Sequence, residues 1–187
     1  MDKIVCVGKN YSEHIKEMGG KTGDMPVVFL KPPSVLRRAA AEEELALRLP
    51  TEEGEIHHEC EIVLEMKANA TQVSVAEAGS LIGGVTLGLD LTKRDLQAKQ
   101  KAAGQPWTTS KVFADSAVIG PVLSLTTFAR WQETEFRFFL DDQLKQQGTV
   151  AQMSLSPAEC VAFISRLFPL CAGDLIFTGT PRYFGLG

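Results

Sequence analysis

Three carboxylates in two short segments are the residues of this chain best placed to do chemistry. They are Glu59 and Glu61 in His57-His58-Glu59-Cys60-Glu61-Ile62-Val63-Leu64, and Asp90 in Gly88-Leu89-Asp90-Leu91-Thr92. On a strand, side chains alternate between faces, so Glu59 and Glu61 fall on one side and Cys60 on the other. A third oxygen donor after the Gly-rich apolar run Gly83 to Leu89 closes the set. Three hard oxygen ligands that leave positions open for water and substrate suit Mg²⁺, with Mn²⁺ as a close substitute. A Glu-x-Glu strand alone also describes a solvated face of alternating charge. In this segment the opposite face is apolar, and a carboxylate enclosed by apolar sequence needs a counter-charge or a metal.

Other residues offer chemistry with less weight. His14 and Glu17 are three apart, so on a helix they share a face, and a carboxylate beside an imidazole raises its basicity and orients it as a general base toward water. The same spacing describes a solvated polar face opposite Ile15 and Met18. His57 and His58 point to opposite sides of their strand. Lys111 and Arg94 read as surface residues by default, and the Gly179-Thr180-Pro181 turn offers a hydroxyl and backbone N–H groups that can hold a carboxylate.

These residues need elements to position them. Ile4 to Val7 reads as a strand, followed by a turn at Gly8-Lys9-Asn10 and a short helix from an N-cap at Ser12 through Met18, stopped by Gly19-Gly20. Val27 to Leu30 is a strand ending at Lys31-Pro32-Pro33. Residues 41 to 55 are acidic and exposed, although Leu45, Leu47 and Leu49 alternate like a strand. Ile56 to Met66 is the clearest strand; Val73 to Ile82 suits a helix leading into the strand Gly84 to Leu89, with Asp90 at its end. Thr92 to Ala103 reads as a helix stopped by Gly104, Val118 to Val122 as a strand, and Phe136 to Thr149 as a hairpin turning at Asp141-Asp142. Ser156-Pro157 starts a helix through Phe168, and Leu175 to Thr178 is a final strand. Strands outnumber helices without regular alternation, which predicts an α+β fold, predominantly β, with mixed or antiparallel sheet and short peripheral helices.

The 187 residues suffice for one domain with its own core, and 44% hydrophobic content is ordinary for a globular chain. A net charge of −4 with dispersed Lys and Arg argues against nucleic acid. No signal peptide or membrane-length apolar run is present, so a cytoplasmic protein without membrane association is expected. Four separated cysteines and three histidines fit neither a disulfide framework nor structural zinc.

Taken together, Gly8-Lys9-Asn10-Tyr11 with His14 and Glu17, Phe29-Leu30-Lys31-Pro32, His58-Glu59-Cys60-Glu61, Leu89-Asp90-Leu91-Thr92-Lys93-Arg94-Asp95-Leu96-Gln97 and Gly173-Asp174-Leu175-Ile176-Phe177-Thr178-Gly179-Thr180-Pro181 resemble the fumarylacetoacetate hydrolase family, in its short acylpyruvase and oxaloacetate decarboxylase-like branch. The resemblance runs from Ile4 to Pro181. It implies a mixed β-sandwich roll and a homodimer, with one catalytic domain over 1–187: an N-terminal segment, 1–55, carrying a lid helix near 12–18, and a β-rich metal-binding core, 56–187. It implies Mg²⁺ on Glu59, Glu61 and Asp90, a His14–Glu17 dyad on the lid, catalytic roles for Lys111 and Gln97, and substrate contacts at Lys9, Arg94 and Thr180. The expected activity is metal-dependent hydrolysis of a carbon–carbon bond in acylpyruvates, with oxaloacetate decarboxylation as a further reaction on a small 2-oxo acid. An isomerase or decarboxylase of aromatic catabolism and a catalytically silent metal-binding homologue remain as alternatives. Family members usually continue into at least one more strand beyond Phe184-Gly185-Leu186-Gly187, so an unpaired sheet edge is expected.

Overall fold

The computed structural model describes residues 1–11 and 26–183. The helix expected over Ser12 to Met18, with His14 and Glu17, lies outside them. The elements are β1 (Ile4–Gly8), β2 (Val27–Lys31), β3 (Leu36–Arg38), β4 (Ile56–His57), β5 (Cys60–Met66), α1 (Val75–Ala78), β6 (Ile82–Asp90), β7 (Thr92–Lys93), α2 (Arg94–Ala102), α3 (Thr108–Lys111), β8 (Ala117–Ile119), β9 (Leu123–Ser124), β10 (Phe136–Leu140), β11 (Gln143–Gly148), α4 (Pro157–Leu167) and β12 (Leu175–Phe177).

Eight strands form one mixed sheet in the order β2-β1-β12-β5-β6-β8-β3, with β9 also paired to β6. The β1–β12 and β3–β8 pairs are parallel and the other pairs antiparallel. The sheet curls into a half-barrel. Two separate pairs, β10–β11 and β4–β7, complete the strands. The expected α+β, predominantly β fold is therefore observed.

Alternation along β5 sets the layers. Cys60, Ile62, Leu64 and Met66 face a core shared with Val161, Ala162 and Ile164 of α4. Val63 faces a smaller core with Ile4, Cys6, Ile119 and Phe177. Helix α4 starts as its sequence dictates: Ser156 accepts from the Glu159 N–H, Glu159 returns a bond to the Ser156 N–H, and Pro157 fills the first helical position, where a missing N–H costs nothing.

Some expectations fail for want of a tertiary partner. Leu45, Leu47 and Leu49 form no strand, because no neighbour pairs with that segment. The helix expected over Val73 to Ile82 shrinks to α1 plus a 3-10 turn at Gly79–Leu81. The segment Val118 to Val122 is interrupted, since Gly120 and Pro121 separate β8 from β9. The helix from Thr92 begins only at Arg94, because Thr92–Lys93 pair with β4.

The fully buried Asp174 fastens the start of the chain. Its Oδ1 accepts from the backbone N–H groups of Asp2 (2.8 Å) and Lys3 (3.0 Å), and its Oδ2 from Lys3 Nζ and the Cys171 N–H, both 2.8 Å. This clamp takes up the cluster Asp2, Cys171 and Asp174, which otherwise has metal-ligand spacing. Burial alone would raise the Asp174 pKa, but Lys3 and the three N–H donors hold it below its ordinary 3.8. A depressed folded-state pKa contributes stability above the unfolded value, which is lost as pH falls through the folded one. Asp174→Asn is expected to cost about 2–3 kcal/mol at pH 7, and the deficit should narrow in urea melts taken from pH 5 down toward pH 3.

Candidate active site and metal centre

Strands β5 and β6 build the acidic site. Their antiparallel register places Cys60 opposite Leu89 and Glu61 opposite Gly88, and the Asp90 N–H donates to the Glu59 carbonyl at 2.9 Å. Glu59 and Asp90 therefore face each other across the pair, with Glu61 two residues along the same face. Glu59 itself lies in a break: the single strand expected from Ile56 to Met66 splits at His58-Glu59, because β4 pairs with β7 whereas β5 pairs with β6. One oxygen from each of Glu59, Glu61 and Asp90 lies within 4.8 Å of the others, and all three residues are buried.

Two glycines make this geometry fit. A Cβ on Gly88 would stand 2.8 Å from Phe177, Val63 and the Val118 carbonyl, so only glycine lets β6 lie this close opposite Glu61. Gly179 has φ +101°, and its N–H donates to Glu61 Oε2 at 2.7 Å.

Three cations surround the carboxylates. Lys111 Nζ donates to Glu59 Oε2 (2.5 Å) and Asp90 Oδ2 (2.7 Å). Arg94 donates to Glu59 Oε1 at 2.6 Å. The fully buried Lys31 places Nζ 2.6 Å from Asp90 Oδ1, in an ion pair too bent for a hydrogen bond, and aims its donors at the carbonyls of Ser116 (2.6 Å) and Leu91 (3.2 Å). Burial alone would raise the Glu59 pKa, yet Lys111 and Arg94 hold it well below the carboxylate range. Lys111, despite burial, is held above the ordinary lysine value by Asp90 and Glu59. Glu61 is the exception. Burial, then Asp90 and Glu59, push its pKa up, and among the described residues no cation is in contact with it. A carboxylate crowded by two others beside hard oxygen donors is where a divalent cation lowers the energy most, so the residues fit Mg²⁺ or Mn²⁺.

The remaining expected residues sort by position. Gln97 is buried one turn along α2 from Arg94, and its Oε1 accepts from Arg94 at 2.7 Å. Lys9 follows β1 with φ 64°, close enough to the cationic side chains for Lys101 to feel its charge. The Thr180 hydroxyl is taken up by the fold: it donates to the Cys60 carbonyl (2.9 Å) and accepts from Gln146 Nε2 (2.6 Å). His14 and Glu17 lie outside the described residues.

Sequence reasoning passed over several residues. Lys31 stood beside two prolines and looked like a strand end. Gln146, fully buried, holds β11 to β5 through the Cys60 N–H (2.8 Å), and Tyr183 donates to the His58 carbonyl (2.6 Å) beside Arg94. Asn10 ties the end of β1 to the carbonyls of Leu155 (3.1 Å) and Thr178 (2.8 Å). Lys31, ending the apolar run Val27 to Leu30, carried a local signal, whereas Gln146, between Lys145 and Gln147, carried none.

An apolar cavity of about 600 Å³, lined among others by Ile62, Val85, Leu123, Trp131 and Phe136, lies on the opposite face of β5 and shares no residue with the acidic site. No helix among the described residues is long and apolar enough to cross a membrane.

The chain resembles characterised proteins along almost its whole length. It is 37% identical over 186 residues to the oxaloacetate tautomerase YcgM of Escherichia coli K12, covering 99% of this chain and 83% of the relative. It is 36% identical over 183 residues to the mitochondrial oxaloacetate tautomerase FAHD2 of Oryza sativa subsp. japonica, covering 98% and 80%. Among solved structures, the fumarylpyruvate hydrolase from Pseudomonas aeruginosa in complex with Mn²⁺ and pyruvate superposes with a TM-score of 0.92 at 34% identity, covering 97% of this chain and 78% of that one. The fumarylacetoacetate hydrolase C-terminal domain model matches residues 3–186, and with this fold and these relatives the chain belongs to the fumarylacetoacetate hydrolase family.

Proposed function

We propose that the site binds a small 2-oxo acid beside a divalent cation, Mg²⁺ or Mn²⁺, held by Glu59, Glu61 and Asp90, and that it cleaves the carbon–carbon bond of acylpyruvates by hydrolysis. The observation that carries this reading is Lys111, a buried ammonium bridging two of three clustered carboxylates. When bound, the cation would supply Lewis-acid polarisation and a template for the carboxylate and keto oxygens.

The chain's own residues do the rest. Lys111 stabilises the negative charge that develops on the pyruvate oxygen as the bond breaks. Arg94, held by Glu59, and Lys9 orient the substrate carboxylate. Gln97, its carbonyl fixed by Arg94, directs its amide N–H at the attacking water. His14, oriented by Glu17, takes that water's proton before attack on the distal carbonyl, and the products are a carboxylic acid and pyruvate.

A second reading is favoured by the relatives called oxaloacetate tautomerases: the same residues stabilise the enolate of oxaloacetate during tautomerisation or decarboxylation, with no water consumed. Pyruvate release from acetylpyruvate and oxaloacetate, together with the ultraviolet absorbance of enol oxaloacetate, measured with Mg²⁺ and with EDTA, separates the two. Absence of any metal-dependent turnover would sink both. Glu59→Gln is expected to lower kcat/KM at least about 100-fold on whichever substrate is used and to weaken Mg²⁺ binding by calorimetry. Unaltered Mg²⁺ affinity would remove Glu59 from the ligand set.

A further inference from the structure

Arg94 stands first in helix α2, and its guanidinium meets four acceptors among the described residues. Nε donates to His57 Nδ1 (3.3 Å), one terminal nitrogen to Gln97 Oε1 (2.7 Å), and the other to Glu59 Oε1 (2.6 Å) and the Tyr183 hydroxyl (3.4 Å). A guanidinium is planar and its N–H groups diverge in a fixed fork, so a partner on Nε sets where both terminal nitrogens point. Gln97 and Glu59 belong to the acidic site. Tyr183 shares its nitrogen with Glu59, whereas His57 alone among the described residues accepts from Nε.

The break in the strand at His58-Glu59 brings His57 to this place. Strand β4 leaves the line of β5 and pairs with β7, His57 opposite Thr92, and the Arg94 N–H donates to the Glu55 carbonyl at 2.9 Å. His57 and Glu59, two residues apart, thereby flank one guanidinium. An arginine only donates, so His57 Nδ1 carries the lone pair and Nε2 the proton. Nε2 lies 3.1 Å from Glu55 Oε2, an acceptor that fits this tautomer. The Tyr183 ring meets the half-buried imidazole edge-on, with 6.1 Å between centres, and limits its rotation.

We infer that His57 is a positioning residue: by accepting from Arg94 Nε in its Nε2-protonated form, it holds the guanidinium so that one terminal nitrogen stays on Glu59 and the other fixes the Gln97 carbonyl. The inference rests on the roles given to Arg94 and Gln97 above. Without the acceptor the guanidinium can turn about its Nε bond, and the Gln97 amide loses its aim. The three carboxylates keep their own places, because strand register and the lysines hold them.

Two variants of the full chain separate positioning from packing. His57→Phe keeps a ring beside Tyr183 and removes the acceptor, and His57→Asn returns an oxygen near the place of Nδ1. Calorimetry counts Mg²⁺-binding sites, and kcat/KM per site is measured on whichever of acetylpyruvate and oxaloacetate is turned over. It should fall about tenfold in His57→Phe and recover to within about threefold of wild type in His57→Asn, with Mg²⁺ affinity unaltered in both. A merely structural role would lower the number of sites, not the rate at each. In an Arg94→Met background His57→Phe should cost less than about twofold more, because its effect passes through Arg94. Nitrogen NMR of the imidazole at about pH 8 reads the tautomer without turnover: Nδ1 should be the unprotonated nitrogen, and Arg94→Met should shift its signal. An unchanged rate per site in His57→Phe, no recovery in His57→Asn, the full loss repeated without Arg94, or a protonated Nδ1 would each overturn the assignment while leaving the site reading standing. A wild type that turns over neither substrate with Mg²⁺ refutes the site reading and the role of His57 with it.

Discussion

Lys111→Met is expected to tighten divalent-cation binding and to abolish turnover in the same variant. In the wild type the Lys111 ammonium lies between Glu59 Oε2 and Asp90 Oδ2, on two of the three carboxylates proposed to hold the ion, so it would compete with a bound cation electrostatically. Methionine keeps the length of the side chain and removes the competitor. At the effective dielectric of a partly buried site, a unit charge about 4 Å away is worth several kcal/mol, so Mg²⁺ affinity should rise at least about tenfold. Turnover should fall roughly 100- to 1,000-fold, because charge developing on the substrate oxygen loses its buried partner. The metal-free variant should also melt earlier, by about 3–5 kcal/mol, since Glu59 and Asp90 are left facing Glu61 with less compensation. Calorimetry, steady-state kinetics and melts with and without Mg²⁺ check all three. Weaker metal binding in Lys111→Met would show that the lysine supports the metal rather than competing with it.

Lys31→Met should destabilise the fold about as much as Lys111→Met does. Lys31 is fully buried, and its ammonium serves Asp90 Oδ1 and the carbonyls of Leu91 and Ser116. Removing it takes from Asp90 one of its two ammonium partners, Lys111 remaining on Oδ2, and takes a donor from the Leu91 and Ser116 carbonyls, the latter keeping the Leu91 N–H at 3.0 Å. Breaking a buried pair from one side costs about 3–5 kcal/mol, which for a chain of this size corresponds to a drop of about 10 °C in Tm. Added Mg²⁺ should recover part of the loss by supplying charge to Asp90, so the Tm difference from wild type should shrink on saturation. A Tm within 2–3 °C of wild type would mean that the pair contributes little net energy.

The contrast between these lysines and the carboxylates shows what a sequence discloses. Glu59, Glu61 and Asp90 were legible because two-residue periodicity is local, and a carboxylate ending an apolar strand stands out against its neighbours. Arg94 and Lys111 were not, since neither carries a local mark of burial, and Lys31 was marked only by the apolar run that it ends. What buries Lys31 is the pairing of β2 with β1 and the approach of Leu91 and Ser116 from 60 and 85 residues away. Only the family resemblance pointed to Lys111 and Arg94. The strand through His58-Glu59 was over-read for a related reason: periodicity continues across the break, while the choice of partner, β7 on one side and β6 on the other, is tertiary. Leu45, Leu47 and Leu49 show the reverse, alternation with no strand to meet it. The hairpin over Phe136 to Thr149 and helix α4 were legible because turn residues, a cap and an N-terminal proline fix them locally.

The three carboxylates and the three cations around them also bear on when the proposed metal ion would be acquired. Because Lys31, Arg94 and Lys111 already pair with Glu59 and Asp90, a newly synthesised chain can close this part of its core before any ion arrives. Loading is then an exchange in a finished pocket, governed by ion supply rather than by the folding event. Chelation should silence such a protein without unmaking it, and resupplied ion should restore it without a chaperone.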